Sequence, residues 1–295
     1  MITVSILALK NAVLASIADA RYVFTMANEF LRQANKPPLF KVQLIGVSKE
    51  IVLQDGLFSI RPDLSMDEGK DANLIIIPSL SGDMKSSVYL NKDYVGWIAD
   101  QYKNGTEIAS LCTGAFLLAY AGLLRGKQCT THWLYANELK HIYPSIKVVD
   151  EKMITDQHGL YSSGGSNAYW NLLLHLVEKY SGREMAIRLA KYFVIDLNRN
   201  IQSPFIIFDG LKDHEDELIK KIQEKIERSY KLKLTVDQLA DEFNMSRRTF
   251  ERRFKKATRN TVTAYIQRVK VEAANKQLEL GRKYVSGVMN DDSYV

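Results

Sequence analysis

Cys112 is the residue with the most reactive chemistry open to it. It stands in SLCTGAFLLAYAGLL, Ser110 to Leu124, where a strand-like run enters the cysteine and Thr113, Gly114 and Ala115 turn at once into a helix. That order of strand, turn and helix is the shape of a nucleophile elbow. A thiol at a helix N-terminus lies in the positive end of the helix dipole, so its thiolate is expected to be favoured. CTTHW, Cys129 to Trp133, supplies His132 as a candidate base. Two readings of Cys112 stand side by side: a small residue kept in a tight turn, or a ligand- or oxidant-sensing thiol. Cys129 reads as inert within a strand. His141, His158, His175 and His214 show no metal-ligand spacing, so neither a metal nor a cofactor is expected. Trp133, Tyr135, Tyr169 and Trp170 are aromatic candidates for lining a small-molecule pocket above the elbow, with core packing the default for each.

A second stretch carries a different chemistry. TVDQLADEFNMSRRTFERRFKK, Thr235 to Lys256, reads as two short amphipathic helices across a tight polar break. Thr235 and Gln238 have capping-box spacing, and Val236, Leu239, Ala240 and Phe243 fall on one face. Asn244 and Met245 interrupt, Ser246 caps the second helix, and Phe250 and Phe254 give it an apolar stripe at a spacing of four. Arg247, Arg248, Glu251, Arg252, Lys255 and Lys256 are left facing outward, with Thr249 and Arg253 at the edges; all but Arg253 are candidate DNA contacts. On a helix-turn-helix this is a major-groove surface: arginine can hold guanine through two hydrogen bonds, glutamate can accept from cytosine, and lysine neutralises phosphate. The segment resembles the AraC family of transcription regulators, in which a long helix joins two such units. Thr261 to Leu280 resembles that joining helix, with Tyr265, Ile266, Val269 and Ala273 as its buried stripe and Gly281 as its stop. RKYVSGVMNDDSYV, 282–295, resembles only the start of a second unit. The resemblance therefore implies one complete groove reader and a helix-turn-helix domain that looks truncated.

The elements that must position these groups require two domains, a comfortable fit for 295 residues of which 46% are hydrophobic. Apolar runs such as Ala115 to Leu124 are far short of the roughly 20 residues that span a bilayer, so no membrane partner is expected. MITVSILALK reads as a buried first strand and lacks a charged leader or cleavage pattern. Together with only two cysteines, this points to the cytoplasm. The net charge of +6 is unevenly placed: Ser229 to Lys283 holds fourteen Lys and Arg against six Asp and Glu. A basic module on a near-neutral body fits a nucleic-acid reader joined to a regulatory domain.

Before residue 195, strand-like runs (Thr3 to Leu9, Lys41 to Val47, Ala72 to Ile77, Glu107 to Leu111) alternate with helical ones near Ala12 to Gln33 and Asp93 to Lys103. The alternation argues an α/β fold, a parallel sheet with helices on both faces. An antiparallel pair near Val148 to Ser162 and helices at Asn167 to Tyr180 and Arg183 to Phe193 follow. Asp196 to Asp213 breaks the pattern and reads as a linker, giving domains 1–195 and 214–295. With CTTHW and LYSSGG, Leu160 to Gly165, the elbow resembles the class I glutamine-amidotransferase-like fold of PfpI type, over most of residues 1–185. The resemblance implies a sheet sandwich in which Cys112 matches the elbow cysteine and His132 a nearby histidine. Two departures accompany it. Ser16 stands about where an acid follows the first strand in redox-active members, with only Asp19 nearby, and Ser79 in PSLSG replaces a glycine of the oxyanion-hole turn. Thr113 also stands where another PfpI pattern has histidine. The expectation is a sequence-specific regulator of double-stranded DNA with a non-catalytic ligand- or redox-sensing domain, a small-molecule effector and a homodimeric state. The alternative is a cysteine-dependent amidase or deglycase-type enzyme centred on Cys112, with an accessory basic module.

Overall fold

The computed structural model describes residues 1–165, 167–197, 201–202, 212 and 214–279. The chain divides into two compact units, Met1–Ile206 and Ile207–Val295.

In the first unit, β1 (Ile2–Leu7) leads into α1 (Leu14–Gln33), which buries Ile17, Ala20, Val23, Phe24, Ala27 and Phe30 at helical spacing. The chain returns as β2 (Phe40–Gly46), parallel to β1. A hairpin of β3 (Ile51–Leu53) and β4 (Phe58–Ile60) and a two-residue strand β5 (Leu64–Ser65) precede β6 (Leu74–Ile77), whose run LIII is wholly buried. Continuous apolar residues suit a strand covered on both faces. Then come α2 (Met84–Leu90), α3 (Asp93–Lys103), β7 (Glu107–Ser110), a tight turn over Cys112–Gly114 and α4 (Ala115–Tyr120). Next follow β8 (Gln128–Cys129), α5 (Trp133–Ile142), β9 (Lys147–Val148) and the antiparallel pair β10 (Ile154–Gln157) and β11 (Leu160–Ser163). Helices α6 (Ala168–Ser181) and α7 (Arg183–Phe193) close the unit.

The main sheet has the order β10-β11-β7-β6-β1-β2-β5 and is parallel throughout except for β10. The expected α/β architecture is therefore present. Because β1, β6, β7 and β11 are parallel, their C-terminal ends lie along one rim. Ser16, Ser79, Cys112 and Ser163 all follow or end those strands, so the rim collects them from across the sequence. Ligands of open parallel sheets bind at such rims. At the opposite end of β7, the Glu107 carboxylate accepts from the Tyr161 hydroxyl at 2.9 Å and also meets Lys179 and Tyr180. Burial opposes the charge on Glu107, but these donors outweigh it and hold the carboxyl below its usual range.

Part of the segment read as a linker is tied to the first unit. Ile201 pairs with Lys152, and Gln202 is 2% exposed. Gln202 can be held there because Gly164 and Gly165 leave room beside it: a Cβ on Gly164 would fall 2.4 Å from the Gln202 Oε1.

The second unit contains α8 (Glu217–Arg228), α9 (Val236–Glu242), α10 (Arg247–Thr258) and α11 (Val262–Glu279). Its core joins Ile219, Ile222 and Ile226 to Leu239, Ala240, Phe250, Phe254, Val262, Tyr265, Ile266 and Val269. The expected helix stop at Gly281 and the partial second unit at 282–295 lie outside the described residues. Among those described, no helix is long and apolar enough to cross a membrane, and no group of three His, Cys, Asp or Glu is gathered as a metal site.

Candidate elbow site and nucleic-acid interface

At the elbow, the chain leaves β7 at Ser110 and places Cys112 at φ 52°, in the left-handed region that a non-glycine residue rarely enters. This sharp reversal makes room for Gly114. A Cβ there would meet the Pro78 carbonyl oxygen at 2.6 Å and that of Ile77 at 2.7 Å. Both obstacles are backbone, so Gly114→Ala is expected to destabilise the first unit by roughly 1–3 kcal/mol or more, read as a lower midpoint in denaturant. A wild-type midpoint would show that the turn can open without cost.

The thiol itself is 5% exposed. Burial pushes its pKa up, against hydrogen bonds from Ser79, Thr113 and the backbone of His132 that favour the thiolate. The thiol is therefore held protonated, against the expected thiolate: desolvation exceeds the hydrogen bonds that favour the charge. Cys129 lies in β8, fully buried, and burial pushes its thiol up to about 12.

His132 is placed differently from a catalytic partner. Its Nδ1 accepts from the Leu134 amide at 3.1 Å, so the imidazole serves as the N-cap of α5. Its pKa is lowered by burial, and the part of His132 that reaches Cys112 is the backbone amide. The two residues are neighbours through that amide, and the imidazole does not bond to the thiol.

Four amides around the elbow are engaged by oxygens of the chain, while those of Thr113 and His132 reach the thiol. The Ser79 N–H donates to Ser16 Oγ at 3.0 Å, and the Leu80 N–H donates to Thr113 Oγ1 at 2.9 Å. The Cys112 N–H donates to Ser163 Oγ at 2.9 Å, and the Gly114 N–H to the Leu111 carbonyl at 2.8 Å. Ser16, standing where an acid was sought, is buried and bonds the turn after β6 to that after β1. A carboxylate does come near by another route: the Tyr169 hydroxyl donates to Asp19 Oδ2 at 2.6 Å. Burial and then the hydrogen bond to Asp19 raise the Tyr169 pKa, so the phenol stays protonated. Of the aromatics expected around a pocket, Tyr169 is buried and stacks near Trp170, whose ring lies 4.6 Å from that of Phe193. Tyr135 is packed edge-on against Phe116 at 6.5 Å.

In the second unit both expected caps are formed. Thr235 Oγ1 accepts from the Gln238 amide while Gln238 Oε1 accepts from the Thr235 amide, and Ser246 Oγ accepts from the Thr249 amide. Asn244 takes φ 53° in the turn between α9 and α10, a conformation Asn tolerates better than most residues. Phe250 and Phe254 are fully buried. The seven candidate contacts Arg247, Arg248, Thr249, Glu251, Arg252, Lys255 and Lys256 are all exposed.

Their electrostatics differ. Arg247 is 2.9 Å from Asp237 and 3.3 Å from Glu251, so both its charge and that of Glu251 are committed. Arg253 forms two hydrogen bonds with Asp216, at 2.5 and 2.8 Å, which fastens α10 to the N-cap of α8. Arg248, Arg252, Lys255 and Lys256 make no ion pair among the described residues. Arg248, Glu251, Arg252 and Lys255 face a recess of about 400 Å³ closed by Thr261, Val262 and Thr263 at the start of α11.

Residues 21–179 match the DJ-1/PfpI family, and residues 226–267 match the AraC family of bacterial regulatory helix-turn-helix proteins. The HTH-type transcriptional regulator GbdR of Pseudomonas aeruginosa is 26% identical over 279 residues, 94% of this chain and 74% of its own length. Isonitrile hydratase of Pseudomonas putida is 28% identical over 149 residues, 50% of this chain and 63% of that enzyme. Among solved structures, an AraC family transcriptional regulator from Pseudomonas putida superposes with a TM-score of 0.51 at 19% identity, covering 65% of this chain and all of that one.

Proposed function

This chain belongs to the DJ-1/PfpI family and carries an AraC-type helix-turn-helix, and from that premise we propose that its elbow rim senses a ligand without turning it over. The chain is a DNA-binding transcription regulator with a DJ-1/PfpI-like sensing domain. The observation that supports the non-catalytic reading is the commitment of four of the amides around the elbow, those of Thr113 and His132 reaching the thiol itself. An acyl-transfer site needs free N–H donors aimed at a developing oxyanion, whereas those of Ser79, Leu80, Cys112 and Gly114 serve the chain's own oxygens. The imidazole of His132 caps a helix instead of bonding to the thiol, and a nucleophile without an oriented base is poorly activated. A buried thiol with a raised pKa also favours a bound effector over an oxidant as the signal.

On this reading a ligand at the Cys112 rim changes the DNA affinity of a homodimer in the cytoplasm. Arg248, Arg252, Lys255 and Lys256 touch the duplex, and Arg247 and Glu251 hold α10 in place. Cys112→Ala and Cys112→Asp should each shift the effector concentration at half-maximal promoter response. Unchanged responses to every inducer that works on the parent chain would move the sensing site elsewhere. Alkylation of Cys112 should be slower than that of a free thiol at pH 7 and accelerate as pH rises through its elevated pKa.

A second reading rests on the likeness to isonitrile hydratase: the first unit is a cysteine-dependent enzyme of the amidase or deglycase kind. Turnover of generic amide, isonitrile or glyoxal-type substrates by the full chain, lost in Cys112→Ala, would favour it over the sensing reading.

A further inference from the structure

We infer that Gln202 is a latch that ties the chain leaving the first unit to the wall of the Cys112 elbow. This rests on the elbow's being the sensing site. The Gln202 side chain fills a socket made for a carboxamide. Its Nε2 lies 2.7 Å from the Asp150 carbonyl, 3.1 Å from that of Thr131, 3.2 Å from that of Lys152 and 3.2 Å from Thr130 Oγ1. Its Oε1 accepts from the Gly165 amide at 2.9 Å, and its own backbone N–H donates to the Glu151 carbonyl at 2.9 Å. Donors at one end and an acceptor at the other match an amide and no other side chain of that length. The cleared space at Gly164, where any Cβ would collide with Gln202 Oε1, belongs to the same fit.

The socket and the elbow share their residues. Thr131, whose carbonyl receives Gln202, donates its hydroxyl to the Cys112 carbonyl at 3.0 Å. Ser163, which receives the Cys112 amide, precedes Gly164 and Gly165 directly. A Cβ on Gly165 would lie 3.5 Å from the His132 ring. A shift of the Cys112 backbone is thus passed to the socket from two sides through single hydrogen bonds. Seating also changes reach. Among the described residues of the first unit Gln202 is the last that is tied down; with it released, Leu197, five residues earlier, takes that place. The five additional residues add roughly 17 Å of maximum span, enough to change how far apart two DNA readers can bind.

The test uses the full chain and amide hydrogen exchange at Gly165, whose hydrogen bond to Gln202 reports the latch directly. Gln202→Ala should speed exchange at Gly165 roughly ten-fold, as expected for loss of a buried hydrogen-bond partner. Gly164→Ala should evict the same side chain and give the same acceleration, with no further gain in the double variant. Alkylating Cys112 with N-ethylmaleimide in the parent chain should deprotect Gly165 as well, and Gln202→Ala should shift affinity for a selected operator roughly five-fold or more. Gly165 exchange unchanged in Gln202→Ala overturns the latch, and exchange unchanged after complete alkylation overturns its coupling to the elbow. If the exchange and operator effects appear while Cys112→Ala and Cys112→Asp respond to effector as the parent does, the latch stands and the sensing reading falls.

Discussion

Replacing Arg248 and Arg252 by alanine is expected to erase sequence preference, at a cost of about 1–3 kcal/mol for each arginine that holds a guanine. The expectation follows from which cations on α10 are free. Arg247 and Arg253 are occupied by Asp237, Glu251 and Asp216, whereas Arg248 and Arg252 are exposed on one face, four residues apart and without ion pairs among the described residues. Residues four apart on a helix lie side by side and can follow adjacent bases in a groove. Lys255→Ala should instead weaken binding evenly across sequences and flatten the salt dependence by about one unit of slope. Competition between a site enriched from a random pool and a scrambled duplex measures both. An equal loss on the two duplexes in Arg252→Ala would assign that residue to phosphate.

Phe254→Ala should be the most damaging single change in the second unit. Phe254 is fully buried, with ring edges against Phe250 at 5.6 Å and Tyr265 at 5.3 Å. It therefore joins the helix that carries the cations to the helix that follows. Truncating a buried phenylalanine costs about 3–5 kcal/mol, a large share of the roughly 5–15 kcal/mol that stabilises a typical domain. Duplex binding should be lost with it, while Phe254→Leu should retain most of it. Chemical denaturation followed by a probe in the second unit checks this, and a loss below about 1 kcal/mol would mean the core repacks.

What was legible in the sequence was mostly local. The caps at Thr235 and Ser246, the spacing of Phe250 and Phe254, and the wholly apolar β6 each state their structure within a few residues. The elbow was legible as a shape for the same reason. Its chemistry was not, because the contacts that decide it join residues 63 apart for Ser79 and Ser16, 33 apart for Leu80 and Thr113, and 51 apart for Cys112 and Ser163. A helix N-terminus favours the Cys112 thiolate, but desolvation, which depends on packing, outweighs the groups that favour it. Gln202 reads as linker in the sequence because a polar residue among polar neighbours gives no hint of a socket. Two signals were open to a closer reading. His132 directly precedes α5, the cap position, and Asp55-Gly56 between short apolar runs marks the β3–β4 hairpin, where Gln54, Asp55 and Gly56 all take positive φ.

The short strands that end the main sheet bear on self-association. One rim is β5, two residues long, and the other is β10, four residues long and already paired to β11. An exposed strand recruits a second chain through its row of unpaired backbone groups, and brevity removes that template. Among the described residues, the edges of the main sheet therefore offer a second copy little backbone through which to merge or seed fibrils. Pairing through side chains on the helical faces would let substitutions tune its strength without disturbing that sheet.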